Sequence, residues 1–247
     1  MRILVATAVP PERDAVARAF DAAAHPVPLP GAVAYRLRTA AARWDLLAAG
    51  VGPARAAAGT AVALTAAALA GEPYTLVVSA GVGGGFAPVA PVGSVVVADA
   101  VTAADLGAET ADGAGFLPVT ALGFGTVTHR PPPGLARAAA EAAGAAYGTV
   151  LTVSTATGSA ARAGVLRARH PGALAEAMEG FGVAEAAAAQ GVPVLEVRAV
   201  SNPVGPRDRG AWRIGDALAA LTAAFGKFTS VLESGNEHDQ RAPHDPR

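Results

Sequence analysis

The stretch Thr75-Leu-Val-Val-Ser-Ala-Gly-Val-Gly-Gly-Gly-Phe86 opens as a short apolar run and breaks into glycines. A few residues on, Ser94-Val-Val-Val-Ala-Asp99 repeats the apolar run. Neither run alternates polar with apolar, as strands do when helices cover both faces of their sheet. Outward from this pair, short β-branched runs alternate with Ala-rich stretches of helical character. Strands are expected at Arg2–Thr7, Tyr35–Thr39, Trp44–Ala49, Thr149–Ser154 and Pro193–Val200. Helices are expected at Glu12–Ala23, Pro53–Ala70, Leu135–Ala146, Ala160–Arg169, Leu174–Gln190 and Ile214–Leu232. This order predicts an α/β fold, a single domain of three αβα layers around a central mixed, mostly parallel β-sheet. The Gly- and Pro-rich segment from Asp105 to Gly134 is the least periodic internal region. Apolar residues stop at Ser234, so the domain is expected over 1–233 and a disordered tail over 234–247.

Composition removes several classes of function. The 247 residues carry 19 basic and 20 acidic side chains, a formal charge of −1, and all the basic residues but Lys227 are Arg. With no basic excess or run, a nucleic-acid or membrane-surface partner lacks its electrostatic basis. Zero Cys excludes disulfides, thiolate-bound metal and thiol catalysis. The uncharged Ala-rich stretch from 56 to 71, read as a buried helix, has 16 residues and falls short of the roughly 20 that span a bilayer. The opening Met1–Thr7 run is too short for a secretory leader, and a cytoplasmic location is expected. The five His residues show no metal-ligand spacing, and no Gly-x-Ser-x-Gly elbow occurs. Neither a metal nor an organic cofactor is implied, and chemistry falls to carboxylates, amides, hydroxyls and Arg.

Three polar points stand against apolar surroundings. Glu12 follows the first strand behind two prolines, Glu179 follows Met178 in an Ala-rich stretch, and Ser201-Asn202 ends a strand before Pro203. Each has an ordinary alternative: a helix first-turn acid, an exposed helix position and a turn residue. In open α/β sheets, however, ligands bind beyond the carboxyl ends of strands, where Glu12, Gly81–Gly85 and Asn202 would collect. The glycines read as a turn whose N–H groups could meet an oxygen-rich ligand. Phe86 occupies the place of the third glycine of a dinucleotide fingerprint, and Walker A fails for want of a Lys.

From Arg2 to about Phe228 the chain resembles the nucleoside phosphorylase and nucleosidase superfamily. The matching pieces include Gly50-Val-Gly52, Ser79–Gly85, Val153-Ser-Thr, Ala177-Met-Glu-Gly180 and Val197-Arg-Ala-Val-Ser-Asn202. Within it, Ser201-Asn-Pro-Val-Gly-Pro-Arg-Asp-Arg-Gly-Ala-Trp212 looks like the futalosine hydrolases, nucleosidases of the futalosine route to menaquinone. Methylthioadenosine nucleosidases usually carry Asp in place of Asn202. Hexameric-type purine phosphorylases carry a Gly-Asp-Pro phosphate loop where Thr7-Ala-Val-Pro-Pro11 stands here, so water is favoured over phosphate.

The resemblance implies a nucleoside phosphorylase-like fold, a purine nucleoside substrate, hypoxanthine as leaving base and assembly as a homodimer or higher homo-oligomer. It implies Glu12 as the general base and Asn202 as the group that handles the base. Met178 and Glu179 would hold the ribose, and Gly81, Val82 and Gly83 would line the substrate. An Asn amide can donate to both N7 and O6 of a 6-oxopurine, whereas adenine presents a donor at its 6-amino group. Arg207, Arg209, Arg213 and Arg130 are candidates to anchor the carboxylate at the substrate's 5′ end, with Arg207 preferred. Arg198, in mid-strand, reads as a buried structural arginine. The alternatives are a methylthioadenosine or S-adenosylhomocysteine nucleosidase, a purine nucleoside phosphorylase and a non-catalytic nucleoside-binding protein.

Overall fold

The computed structural model describes residues 1–113 and 115–234. The first half comprises β1 (Arg2–Thr7), α1 (Pro10–Ala17), β2 (His25–Leu29), β3 (Ala32–Arg38), β4 (Arg43–Ala48) and α2 (Pro53–Leu69). Then follow β5 (Leu76–Gly85), β6 (Val95–Ala103), β7 (Gly107–Glu109), β8 (Phe116–Pro118), β9 (Thr128–His129) and α3 (Pro133–Ala143). The chain ends with β10 (Ala146–Thr152), α4 (Ala160–Arg169), β11 (Ala173–Ala177), α5 (Gly180–Ala188), β12 (Val194–Pro203) and α6 (Ile214–Glu233).

The main sheet is mixed, ordered β11-β10-β6-β12-β5-β1-β4-β3-β2, with β9 on β6. Its central strands are buried on both faces, as their uninterrupted apolar runs require. In β1, Ile3 and Val5 pack among α1, α3 and α6, while Leu4 and Ala6 pack among α2 and α5. The three expected layers are therefore α1/α3/α6, the sheet, and α2/α5. No described helix is long and apolar enough to cross a membrane.

One end of the sheet closes on itself. β5 pairs with β12, β12 with β6, β6 with β10, β10 with β11, and β11 returns to β5 through Ala175–Gly85 and Glu176–Gly84. Phe86, Leu151 and Val153 cluster with Leu166 of α4 beside this five-stranded ring.

Several expectations change. The stretch Leu174–Gln190 is not one helix: its start is β11, and α5 begins only at Gly180. Alanine favours helix in isolation, but two neighbouring strands pair with Ala173–Ala177, and its small side chains fit the crowded ring. Gly81–Gly85 is not a turn but the second half of β5. A Cβ at Gly83 would lie 2.8 Å from the Glu176 carbonyl oxygen, so glycine here serves close strand approach. The first helix ends at Ala17 rather than Ala23, and Phe20 packs on Trp44 with ring centroids 5.0 Å apart. The segment 105–134 holds the β7–β8 hairpin, a 3-10 turn and β9. Ser234 caps α6, and the rest of the expected tail lies outside the described residues.

Candidate active site

A cavity of about 380 Å³ opens at the carboxyl ends of β1, β5 and β12, closed on its other side by the end of β11 and the chain after β12. Glu12, Val82, Gly83, Met178, Glu179, Asn202 and Arg207 all line it.

Glu12 stands at the third position of α1, where an acid meets free helix N–H groups. One carboxylate oxygen accepts from the Ala8 and Val9 N–H groups at 2.9 and 3.2 Å. The other accepts from the Val82 N–H at 2.9 Å. Glu12 is thus both the first-turn acid and a cavity group. Burial pushes its carboxyl above the ordinary value, against the Val82 hydrogen bond and the Arg198 charge; the Glu179 charge adds to the rise. That direction suits a proton acceptor working nearer neutrality than a free carboxylate.

Glu179 sits at the N-cap of α5, in the sharp step between β11 and that helix. It is buried, not exposed: one oxygen accepts from the Gly52 N–H at 3.1 Å and the other from Arg198 Nη1 at 3.3 Å. Gly52 has φ 85°, a conformation that favours glycine, and it caps α2, so the Gly50-Val-Gly52 motif delivers an N–H to this carboxylate.

Arg198 is fully buried, as its mid-strand position suggested, yet it also reaches the site. Its Nε donates to Glu196 at 2.8 Å and its Nη2 to Ser79 Oγ at 2.9 Å, while Nη1 holds Glu179. Burial works against its charge, and Glu196, Glu179 and Glu12 more than offset that. Glu196 itself is pushed upward by burial, which Arg198 opposes.

Asn202 ends β12 after a break in register, with its amide pinned at both ends. The Ser201 hydroxyl lies 2.9 Å from Oδ1 and donates to it, and Nδ2 donates to the Pro203 carbonyl at 3.0 Å. The second Nδ2 proton is free for a ligand. Gly81 does not line the cavity: a Cβ there would fall 2.5 Å from Glu12 Oε1 and 2.8 Å from Arg198 Nη1. Its bareness lets the two carboxylates and the guanidinium converge. The Val82 N–H likewise serves Glu12 instead of facing a ligand.

Of the four candidate anchors, Arg207 alone lines the cavity, with its guanidinium 5.6 Å from the centroid of the Trp212 ring. Arg213 instead pairs with Asp216 at 2.8 Å on the surface. Sequence reasoning missed Glu176, a third buried carboxylate in the lining, because it lay inside the stretch read as one helix. Its oxygens accept from the Thr157 N–H at 2.7 Å and from the Thr157 hydroxyl. Burial raises its carboxyl, opposed by those two bonds. A period-2 reading of Ala173-Leu-Ala-Glu-Ala177 was the available signal.

The family model of the phosphorylase superfamily matches residues 2–234. The futalosine hydrolase of Streptomyces coelicolor is 75% identical over 240 residues, 97% of this chain and 100% of that protein. The futalosine hydrolase of Acidothermus cellulolyticus is 48% identical, covering 90% of this chain and 88% of its own. Among solved structures, a 5′-methylthioadenosine/S-adenosylhomocysteine nucleosidase from Neisseria meningitidis, in complex with methylthio-immucillin-A, superposes with TM-score 0.78 at 21% identity. The match covers 94% of this chain and 99% of that one. The native futalosine hydrolase of Helicobacter pylori gives TM-score 0.76 at 19% identity, covering 95% and 98%. These two structures speak for the fold, whereas the first two sequences match far more closely along nearly the whole chain. The chain belongs to the phosphorylase superfamily and, within it, to the futalosine hydrolase family.

Proposed function

We propose that this protein hydrolyses the N-glycosidic bond of futalosine, releasing hypoxanthine and dehypoxanthinyl futalosine on the futalosine route to menaquinone. The observation that carries this is a single cavity gathering Glu12, Glu179 and Asn202 in a chain 75% identical to a futalosine hydrolase. Cleavage builds positive charge on the ribose, as in glycoside hydrolysis. Glu179 accepts hydrogen bonds from the 2′- and 3′-hydroxyls and favours that charge, with Met178 packed on the sugar. Arg198 and the Gly52 N–H keep its carboxylate in place. Glu12 takes a proton from water as the oxygen attacks C1′. The C1′–N9 electron pair leaves with the base, Asn202 shares its free Nδ2 proton between N7 and O6, and the departing base takes its proton from solvent. Arg207 meets the carboxylate at the 5′ end.

The test is chromatography of the protein incubated with futalosine, with and without phosphate, beside methylthioadenosine and inosine. Hypoxanthine released from futalosine without phosphate is the expected result. Adenine released from methylthioadenosine in its place would overturn the reading, and strict phosphate dependence would reassign the reaction to phosphorolysis. The same reading carries a cytoplasmic location and a homodimer, which light scattering checks.

A further inference from the structure

The reaction above leaves the third carboxylate of the cavity without a task. Glu176 is 6% exposed and held through both oxygens by Thr157. Each carboxylate oxygen has two acceptor positions, so Thr157 fixes the group and leaves others open to the cavity. In the sheet, Gly84 of β5 is the register partner of Glu176 on β11 and also of Asn202 on β12. Partnered residues on adjacent strands project to the same face. A carboxylate and an amide therefore flank a position without a side chain. Their backbones stand about 10 Å apart, two strand spacings, which leaves a flat gap for a planar base between the side chains. A Cβ on Gly84 would lie 3.3 Å from Asn202 Nδ2 and 2.9 Å from Val204, so the donor end of the amide overhangs this gap. Because Ser201 and Pro203 pin the amide, it cannot rotate to offer its oxygen instead.

A 6-oxopurine in its lactam form presents N7 and O6 as acceptors and, beside O6, an N1–H donor. Adenine reverses the last two: its 6-amino group donates and its N1 accepts. Resting on the futalosine reading, we propose that Glu176 is a specificity-determining residue that accepts the N1–H of hypoxanthine while Asn202 shares its one free Nδ2 proton between O6 and N7. Adenine then meets two mismatches, donor against donor at Asn202 and lone pair against carboxylate at Glu176. Methylation of N1 removes the donor and sets a methyl group against the carboxylate.

Calorimetric binding of free hypoxanthine, adenine and 1-methylhypoxanthine to the wild-type protein and to Glu176→Gln tests this. Hypoxanthine binds the wild type about 10- to 100-fold more tightly than 1-methylhypoxanthine, the range for mismatching one buried polar pair, and adenine, mismatched twice, binds no better than 1-methylhypoxanthine. In Glu176→Gln, whose amide can donate to adenine N1, the preference for hypoxanthine over adenine shrinks about tenfold, and what remains is the mismatch at Asn202. The proposal fails if 1-methylhypoxanthine binds the wild type as well as hypoxanthine does, a comparison that needs no variant. It fails equally if Glu176→Gln keeps the full preference. Futalosine turnover is followed in parallel: no base release, with the Glu176-dependent preference intact, sinks the futalosine reading alone.

Discussion

In the proposed reaction Glu12 has two jobs whose demands differ. It accepts two backbone N–H bonds at the start of α1 and a third from Val82 of β5, which favour its charged form, and burial outweighs them. Glu12→Gln keeps the shape and removes the base, so kcat falls about 10²- to 10⁴-fold with KM little changed in steady-state assays. Because a base works only when ionised, the acid limb of the wild-type kcat/KM profile lies above the ordinary glutamate value of 4.5, and activity is lost as pH falls through it. Arg207→Ala raises KM for futalosine about tenfold and leaves inosine, which has no 5′ carboxylate, unchanged, as parallel kinetics will show. Glu12 and Asn202 were legible as polar residues at breaks between apolar elements, and Glu179 through the Ala177-Met-Glu-Gly180 motif that carries the resemblance. Glu176 was not, since an acid among alanines looks like the solvated face of a helix. Arg198 was read as buried and structural, and what sequence could not supply was that its guanidinium reaches across to Glu179.

At the scale of elements, the apolar strands announced themselves, and β1 and α4 occupy the residues expected of them. β11 and the glycine half of β5 did not, because their strand character comes from partners distant in sequence. Alanine and glycine carry no β preference of their own. The crossing of α2 and α5 depends on a similar absence of side chain. A Cβ on Gly182 would collide with the Pro53 carbonyl oxygen at the first turn of α2, and backbone gives way less readily than a side chain. Gly182→Ala forces the two helices apart at a cost of about 1–3 kcal/mol and carries the Gly52 N–H away from Glu179. Thermal melting and kcat/KM are expected to fall together in this variant.

Across the whole molecule, stability and chemistry occupy opposite ends of β1. Thr7 ends near the cavity; Arg2, at the start, joins Arg36 and Tyr74 around the buried Asp45. Burial would raise the Asp45 carboxyl, but the hydrogen bonds from Arg36, Tyr74 and Arg2 outweigh it and hold it below the usual value. A carboxyl lowered by folding stabilises the protein above its unfolded value of 3.8, and that contribution disappears as pH falls through the folded one. The raised carboxyls of Glu12, Glu176 and Glu196 have the opposite sign: what they contribute is present in acid and lost as pH rises through their folded values. Asp45→Ala takes the shared carboxylate from the buried Arg2 and the partly exposed Arg36 and costs about 3 kcal/mol, a drop of roughly 10 °C in Tm. Its kcat/KM, measured well below that Tm, stays at the wild-type level, in contrast to Gly182→Ala.

The closed ring of β5, β12, β6, β10 and β11 also limits how this chain can drift. Strand side chains alternate, so one residue gained or lost inside a ring strand, unless a break in register like that before Asn202 absorbs it, turns every later side chain on that strand to the other face. On β11 the change would exchange Glu176 with an alanine, and on β12 it would turn Asn202 away from Gly84. No neighbouring strand can slide to compensate, because each is held on both sides. Length variation is therefore confined to connections such as the one between β8 and β9, where chain can be added without rotating any strand. The cavity can change its residues one at a time, but the five strands that carry them must keep their register there.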